Sequence, residues 1–73
     1  SAPKQADTEK EAQKLELKVA DITAHKDAME NEMAVCSSNG DDKQLKRLNQ
    51  SYELLQKELA EAEQALERLI ATL

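Results

Sequence analysis

The chain has 73 residues, a formal net charge of −5 and 34% charged residues, so it can form one small domain at most. Aromatic residues are 1% of it, Tyr52 alone, with one Cys and one His, which excludes an aromatic-rich core, an internal disulfide and an all-protein Cys/His zinc site. One glycine and one proline leave too few turns for a sheet of several strands. The Ala/Glu/Lys/Leu bias is that of long helices and coiled coils. The fold class expected is all-α, as an antiparallel two-helix coiled-coil hairpin.

Residues 1–8 are polar and open with Ser1-Ala2-Pro3; they read as a flexible N-terminal tail or linker, leaving 9–73 as the hairpin. Thr8, followed three residues later by Glu11, has the form of a capping box. It predicts a first helix over about 9–36. Along that helix Ala12, Leu15, Val19, Ile22, Lys26, Met29, Met33 and Cys36 recur at alternate spacings of three and four, with Lys26 the only break in an apolar seam. Ser37-Ser38-Asn39-Gly40-Asp41 follows as the turn, because Asn39-Gly40 can take the left-handed conformation that stops a helix. Asp41 and Gln44 repeat the capping-box spacing and start a second helix over about 42–73. Its seam runs through Leu45, Leu48, Tyr52, Leu55, Leu59, Ala62, Leu66, Leu69 and Leu73.

Register follows from arithmetic. Pairing Cys36 with Leu45, Met33 with Leu48, Met29 with Tyr52 and Lys26 with Leu55 keeps the sum of residue numbers constant. The same sum pairs Ile22 with Leu59, Val19 with Ala62, Leu15 with Leu66 and Ala12 with Leu69. Each layer joins an a to a d position, as antiparallel packing requires. The rival arrangement, one long helix dimerising between chains, has to run through Asn39-Gly40 as helix, which those residues oppose.

The chain offers no chemistry of its own. Its carboxylates alternate with Lys on solvent faces, where nothing would shift their pKa values for acid–base work. Gly40 is the only glycine, so no phosphate-cradling loop exists here. His25 reads as a surface residue, with Glu58 as its nearest candidate neighbour, and Cys36 as a small hydrophobe closing the hairpin tip. Lys26 reads as a seam residue whose ammonium runs out along its aliphatic stem. No catalytic, cofactor-binding or metal-ligating residue is expected, and the chain is expected not to be an enzyme.

Basic residues are the remaining candidates for contact. Lys10, Lys14 and Lys18 recur at four-residue intervals, and Lys43, Lys46 and Arg47 cluster early in the second helix. Residues 41–50 hold three bases against two acids, a weak positive field for phosphates. Tyr52 belongs to the seam and supplies no platform for stacking bases. Leu17, Leu54 and Ile70 lie off the main seam and suit a partner helix instead. No apolar run approaches the roughly 18 residues of a membrane span, so no membrane contact is expected. No signal peptide opens the chain, and the unpaired Cys36 suits a reducing compartment; the expected location is cytoplasmic.

The stretch Gln44 to Leu59, QLKRLNQSYELLQKEL, resembles the second helix of the C-terminal domain of ABC-F ATPases, which commonly reads K-L-x-x-L-x-x-x-(L/Y)-x-x-L-x-x-E-L before a W-E-x-L. Here the corresponding end is Leu66-Glu67-Arg68-Leu69. The first helix, through Leu17–Ile22 and Met29–Ala34, is similar to the family's I-x-x-L-E-x-E-x-x-x-L-E-x-x-(L/M)-A. The likeness covers about residues 15 to 70. Leu66 stands where the family has Trp, Glu63 where an aromatic is frequent, and the turn lacks the usual Asp-Pro and Tyr. The resemblance implies a non-catalytic arm of a larger protein that acts on the ribosome in translation and contacts RNA or DNA. ATP and Mg would then belong to tandem ATP-binding cassettes outside this sequence. The alternative expectation is a structural or oligomerising coiled coil that binds a protein partner helix.

Overall fold

The computed structural model describes residues 3–73, and side chains from residue 5 onward. Two helices, α1 (Pro3–Asn39) and α2 (Asp42–Ile70), lie antiparallel in a rod of 57 × 14 × 12 Å. At about 1.5 Å per residue, the 37 residues of α1 account for nearly all of that long axis. This is the helical hairpin that the heptad seams require.

The shielded side chains are those of the expected seams. On α1, Ala12 and Ile22 are buried while Leu15, Val19, Lys26, Met29, Met33 and Cys36 are half-buried. On α2, Ala62 is buried and Leu45, Leu48, Tyr52, Leu55, Leu59, Leu66 and Leu69 are half-buried. Tyr52 touches both Lys26 and Glu30, the α1 residues on either side of Met29, as the expected register demands. Two helices can cover only one side of each other, so among the described residues just three side chains fall below a tenth exposure: Ala12 and Ile22 at 6% and Ala62 at 4%. Two of the three are alanines, short enough to be covered by the opposing helix alone. Leu73, the last expected seam residue, is 51% exposed because α2 has ended three residues earlier.

Three boundaries differ from expectation. Of the tail expected over 1–8, residues 3–8 are helical, and Ser1 and Ala2 lie outside the described residues. Pro3 supplies a helical φ and has no N–H to leave unbonded at a first turn. Thr8 extends the seam by one position and is half-buried, so it sits within α1 instead of capping it. The turn is shorter than 37–41: Ser37, Ser38 and Asn39 remain helical, leaving Gly40 and Asp41 as the connection. At the C-terminus, Ala71–Leu73 leave the helix through tighter bonds, Thr72 N–H to Leu69 O at 3.1 Å and Leu73 N–H to Ile70 O at 3.0 Å.

Gly40 explains the short turn. Its φ is +69°, and it is the only described residue in that region. The Asp41 N–H donates to Cys36 O at 2.9 Å and the Gly40 N–H to Ser37 O at 3.3 Å, the paired bonds of a Schellman stop. The Asp41 carboxylate then accepts the Gln44 N–H at 3.2 Å and caps α2. The reciprocal half of the expected capping box is replaced, because the Asp41 N–H already serves the end of α1.

Candidate interaction surfaces

The reversal at Gly40 sets the first turns of α2 at one end of the rod. Lys43, Lys46 and Arg47 are all exposed there, spaced so that they share roughly one side of α2. Asp41 and Asp42 stand immediately beside them. Asp42 suits the positive end of the α2 dipole, but the two carboxylates dilute the field the three bases make.

Lys10, Lys14 and Lys18 are also exposed, on α1 near the open end, interleaved with Glu9, Glu11 and Glu16. Antiparallel packing places Lys14 roughly 35 Å along the rod from the tip residues. The two basic groups are therefore separate surfaces, and no single binding face contains both.

Mid-rod, the one aromatic is fully engaged with its own hairpin. The Tyr52 hydroxyl donates to a Glu30 carboxylate oxygen at 2.5 Å, and the Lys26 ammonium lies 5.4 Å from the ring centroid. That places Lys26 within cation–π range of the ring, a more specific contact than a stem running out to water. The hydrogen bond to Glu30 holds the Tyr52 phenol above its ordinary value, since deprotonation would set a phenolate against a carboxylate. Burial and the charges of Glu30 and Asp27 act in the same direction, against a smaller opposing effect of Gln56. Glu30 carried no signal in the sequence beyond its position next to the Met29 layer.

His25 is exposed, and Cys36 is a half-buried free thiol. Cys36 lines a shallow groove of about 320 Å³ beside the tip, together with Val35 and Leu48, with Asn31, Glu32 and Gln44 at its rim. Among the described residues no group of three or more His, Cys, Asp or Glu side chains could hold a metal ion. No described helix is long and apolar enough to cross a membrane.

The off-seam apolar residues differ between the helices. Leu54 is 63% exposed but stands alone among Arg47, Ser51, Glu58 and Glu61 on α2. Leu17 is 68% exposed and Val35 59%, and both lie on the side of α1 facing away from the seam. Val35 is not among the off-seam residues read from the sequence; its spacing from Leu17 is the available signal, and its place beside the Cys36 groove emerges only from the fold. Compared with protein-family models, with curated proteins and with solved structures, the chain matches none.

Proposed function

We propose that this chain is a non-catalytic contact arm, a coiled-coil hairpin that an ABC-F-type ATPase directs at nucleic acid or the ribosome. The observation that carries the reading is the exposure of Lys43, Lys46 and Arg47 together at the closed end of a 57 Å rod. A rod held at its open end reaches farthest with that tip. The likeness of Gln44 to Leu59 to the second helix of the ABC-F C-terminal domain supports it, with ATP and Mg confined to cassettes outside this sequence. Contacts of this kind go to phosphates: they are indifferent to base sequence and release counterions. With a net charge of −5 opposing any polyanion at long range, binding by the chain alone is weak and strongest at low salt.

The test is a titration of the chain with short RNA and DNA duplexes at low and at physiological salt, beside a Lys43→Gln/Lys46→Gln/Arg47→Gln variant. Binding that fades with salt and is lost in the variant supports the tip contact. Equal binding by both proteins removes the tip cluster from the account.

A second reading is favoured by the exposure of Leu17, Val35 and Leu54: a structural or oligomerising coiled coil that binds a protein partner helix. Such binding survives salt that abolishes phosphate contacts.

A further inference from the structure

The two helices present unlike faces to their surroundings. Opposite its seam, α2 carries Lys46, Gln50, Glu53, Lys57 and Gln64, all exposed, as a solvated helix should. Opposite its own seam, α1 carries Leu17, Ala20, Ala24, Ala28, Asn31 and Val35, spaced three or four apart and all exposed, with Asp21 and Asp27 the charges at its edges. The line spans about 27 Å of helix. Helix propensity accounts for the alanines but not for Val35, a β-branched residue that an exposed helical position disfavours. Leu17 and Val35 stand as ridges at the two ends, and the alanines between them form a trough in which a second helix can approach closely. At the Val35 end the face runs into the groove walled by Cys36 and Leu48.

The shoulders of this face name the partner. Glu16 and Asp27 flank it on one side, Asp21 and Glu32 on the other, with Lys14 and Lys18 the bases beside it, an excess of acids on the face as a whole. All six are exposed. A second copy of the chain fits poorly. Antiparallel pairing of Leu17 with the copy's Val35 brings Asp27 towards its own counterpart and Asp21 towards Glu32, with Lys18 the one base near that Glu32. Parallel pairing sets the Glu16 and Asp27 side against the side of Asp21 and Glu32, so either way both partners bring an excess of acids. We propose that the outer face of α1 docks a basic amphipathic helix of another protein, with Leu-sized side chains in the trough and Lys or Arg on both shoulders. This deepens the partner-helix reading above, rests on it, and is independent of the tip cluster.

The experiment titrates the isotope-labelled chain with three synthetic helices sharing one leucine stripe, their shoulders carrying Lys, Gln or Glu. Binding is read by anisotropy and mapped by backbone amide shifts. The Lys helix is expected to bind with shifts centred on Ala20, Ala24 and Ala28, the Gln helix about tenfold more weakly, and the Glu helix not measurably. A Leu17→Ser/Val35→Ser variant should keep its helicity, as both residues are exposed, and bind the Lys helix about tenfold more weakly. Equal affinity for the Lys and Gln helices would overturn the basic chemistry while leaving the partner-helix reading standing. Unchanged binding by the variant, or shifts centred on α2, would overturn the face itself. Self-association of the chain with shifts on this face would replace the proposed partner by a second copy. Absence of binding by all three helices would overturn both the inference and the reading beneath it.

Discussion

The hydroxyl of Tyr52 on α2 and the carboxylate of Glu30 on α1 meet at 2.5 Å, with the Lys26 ammonium 5.4 Å from the same ring. One aromatic side chain thus links a cation and an anion of the opposite helix, at the level of Met29. In a seam otherwise made of interchangeable aliphatic contacts, this is the contact that distinguishes one register from its neighbours. A heptad slip still sets apolar seam residues against apolar seam residues for most of the rod but takes Tyr52 away from Glu30.

The Tyr52 phenol therefore titrates above the ordinary tyrosine value of about 10, and the sign of its effect on stability follows. Between the unfolded and the folded pKa the native state binds more protons, so stability falls with rising pH in that window. The contribution is complete below about pH 10 and is lost as pH rises through the folded value. Tyrosinate absorbance should develop later in the folded chain than in denaturant. In a Glu30→Gln variant, with the carboxylate gone, the gap between the two curves should narrow, burial and the Asp27 charge leaving a smaller part of it. Coincident curves in the unmodified chain would remove the hydrogen bond from the account.

Seam and outer face should respond in opposite ways to truncation. Ile22→Ala removes the best-covered large side chain of the hairpin and should cost about 3 kcal/mol of stability. Leu59→Ala, its half-buried partner, should cost less, since water already reaches part of the site. Leu17→Ala, on the exposed face, should change stability by no more than about 0.5 kcal/mol. Thermal melts read by circular dichroism rank the three. A Leu17 effect as large as that of Ile22 would mean that the outer face of α1 is covered.

Gly40 is held by its backbone alone, as a Cβ built there meets nothing within 4 Å while φ is +69°. Gly40→Ala should therefore cost about 1–2 kcal/mol, the penalty of a left-handed alanine, with no steric addition. Gly40→Asn should cost less, because Asn tolerates that conformation. Equal losses in the two variants would point to a conformation other than the left-handed one.

Much of the hairpin was legible because the seam is periodic: every expected pair from Ala12–Leu69 to Cys36–Leu45 lies among the shielded residues. The helix ends were less legible. Ser37-Ser38-Asn39 has the composition of a turn, yet only Gly40 needs a positive φ, and the carbonyls that accept from Gly40 and Asp41 lie within α1 itself. The Thr8–Glu11 spacing misplaced the start of α1 because a capping pattern acts only where the preceding residues are not already helical, and here helix begins at Pro3. On the candidate surfaces, spacing identified the two basic groups as exposed. Their separation along the rod, and the engagement of Tyr52 by Lys26 and Glu30, depend on contacts between residues more than twenty apart in sequence, which local patterns do not encode.

Every surface described above depends on the chain reversing at Gly40 so that Ile22 faces Leu59 within one molecule. The direct measurement is disulfide formation between cysteines at those two positions, introduced as Ile22→Cys and Leu59→Cys with Cys36→Ser to remove the native thiol. Oxidation at low protein concentration should yield a crosslinked monomer of increased gel mobility, at a rate independent of concentration. Crosslinks formed only between chains, at a rate rising with concentration, would contradict the hairpin and establish the long-helix dimer in its place.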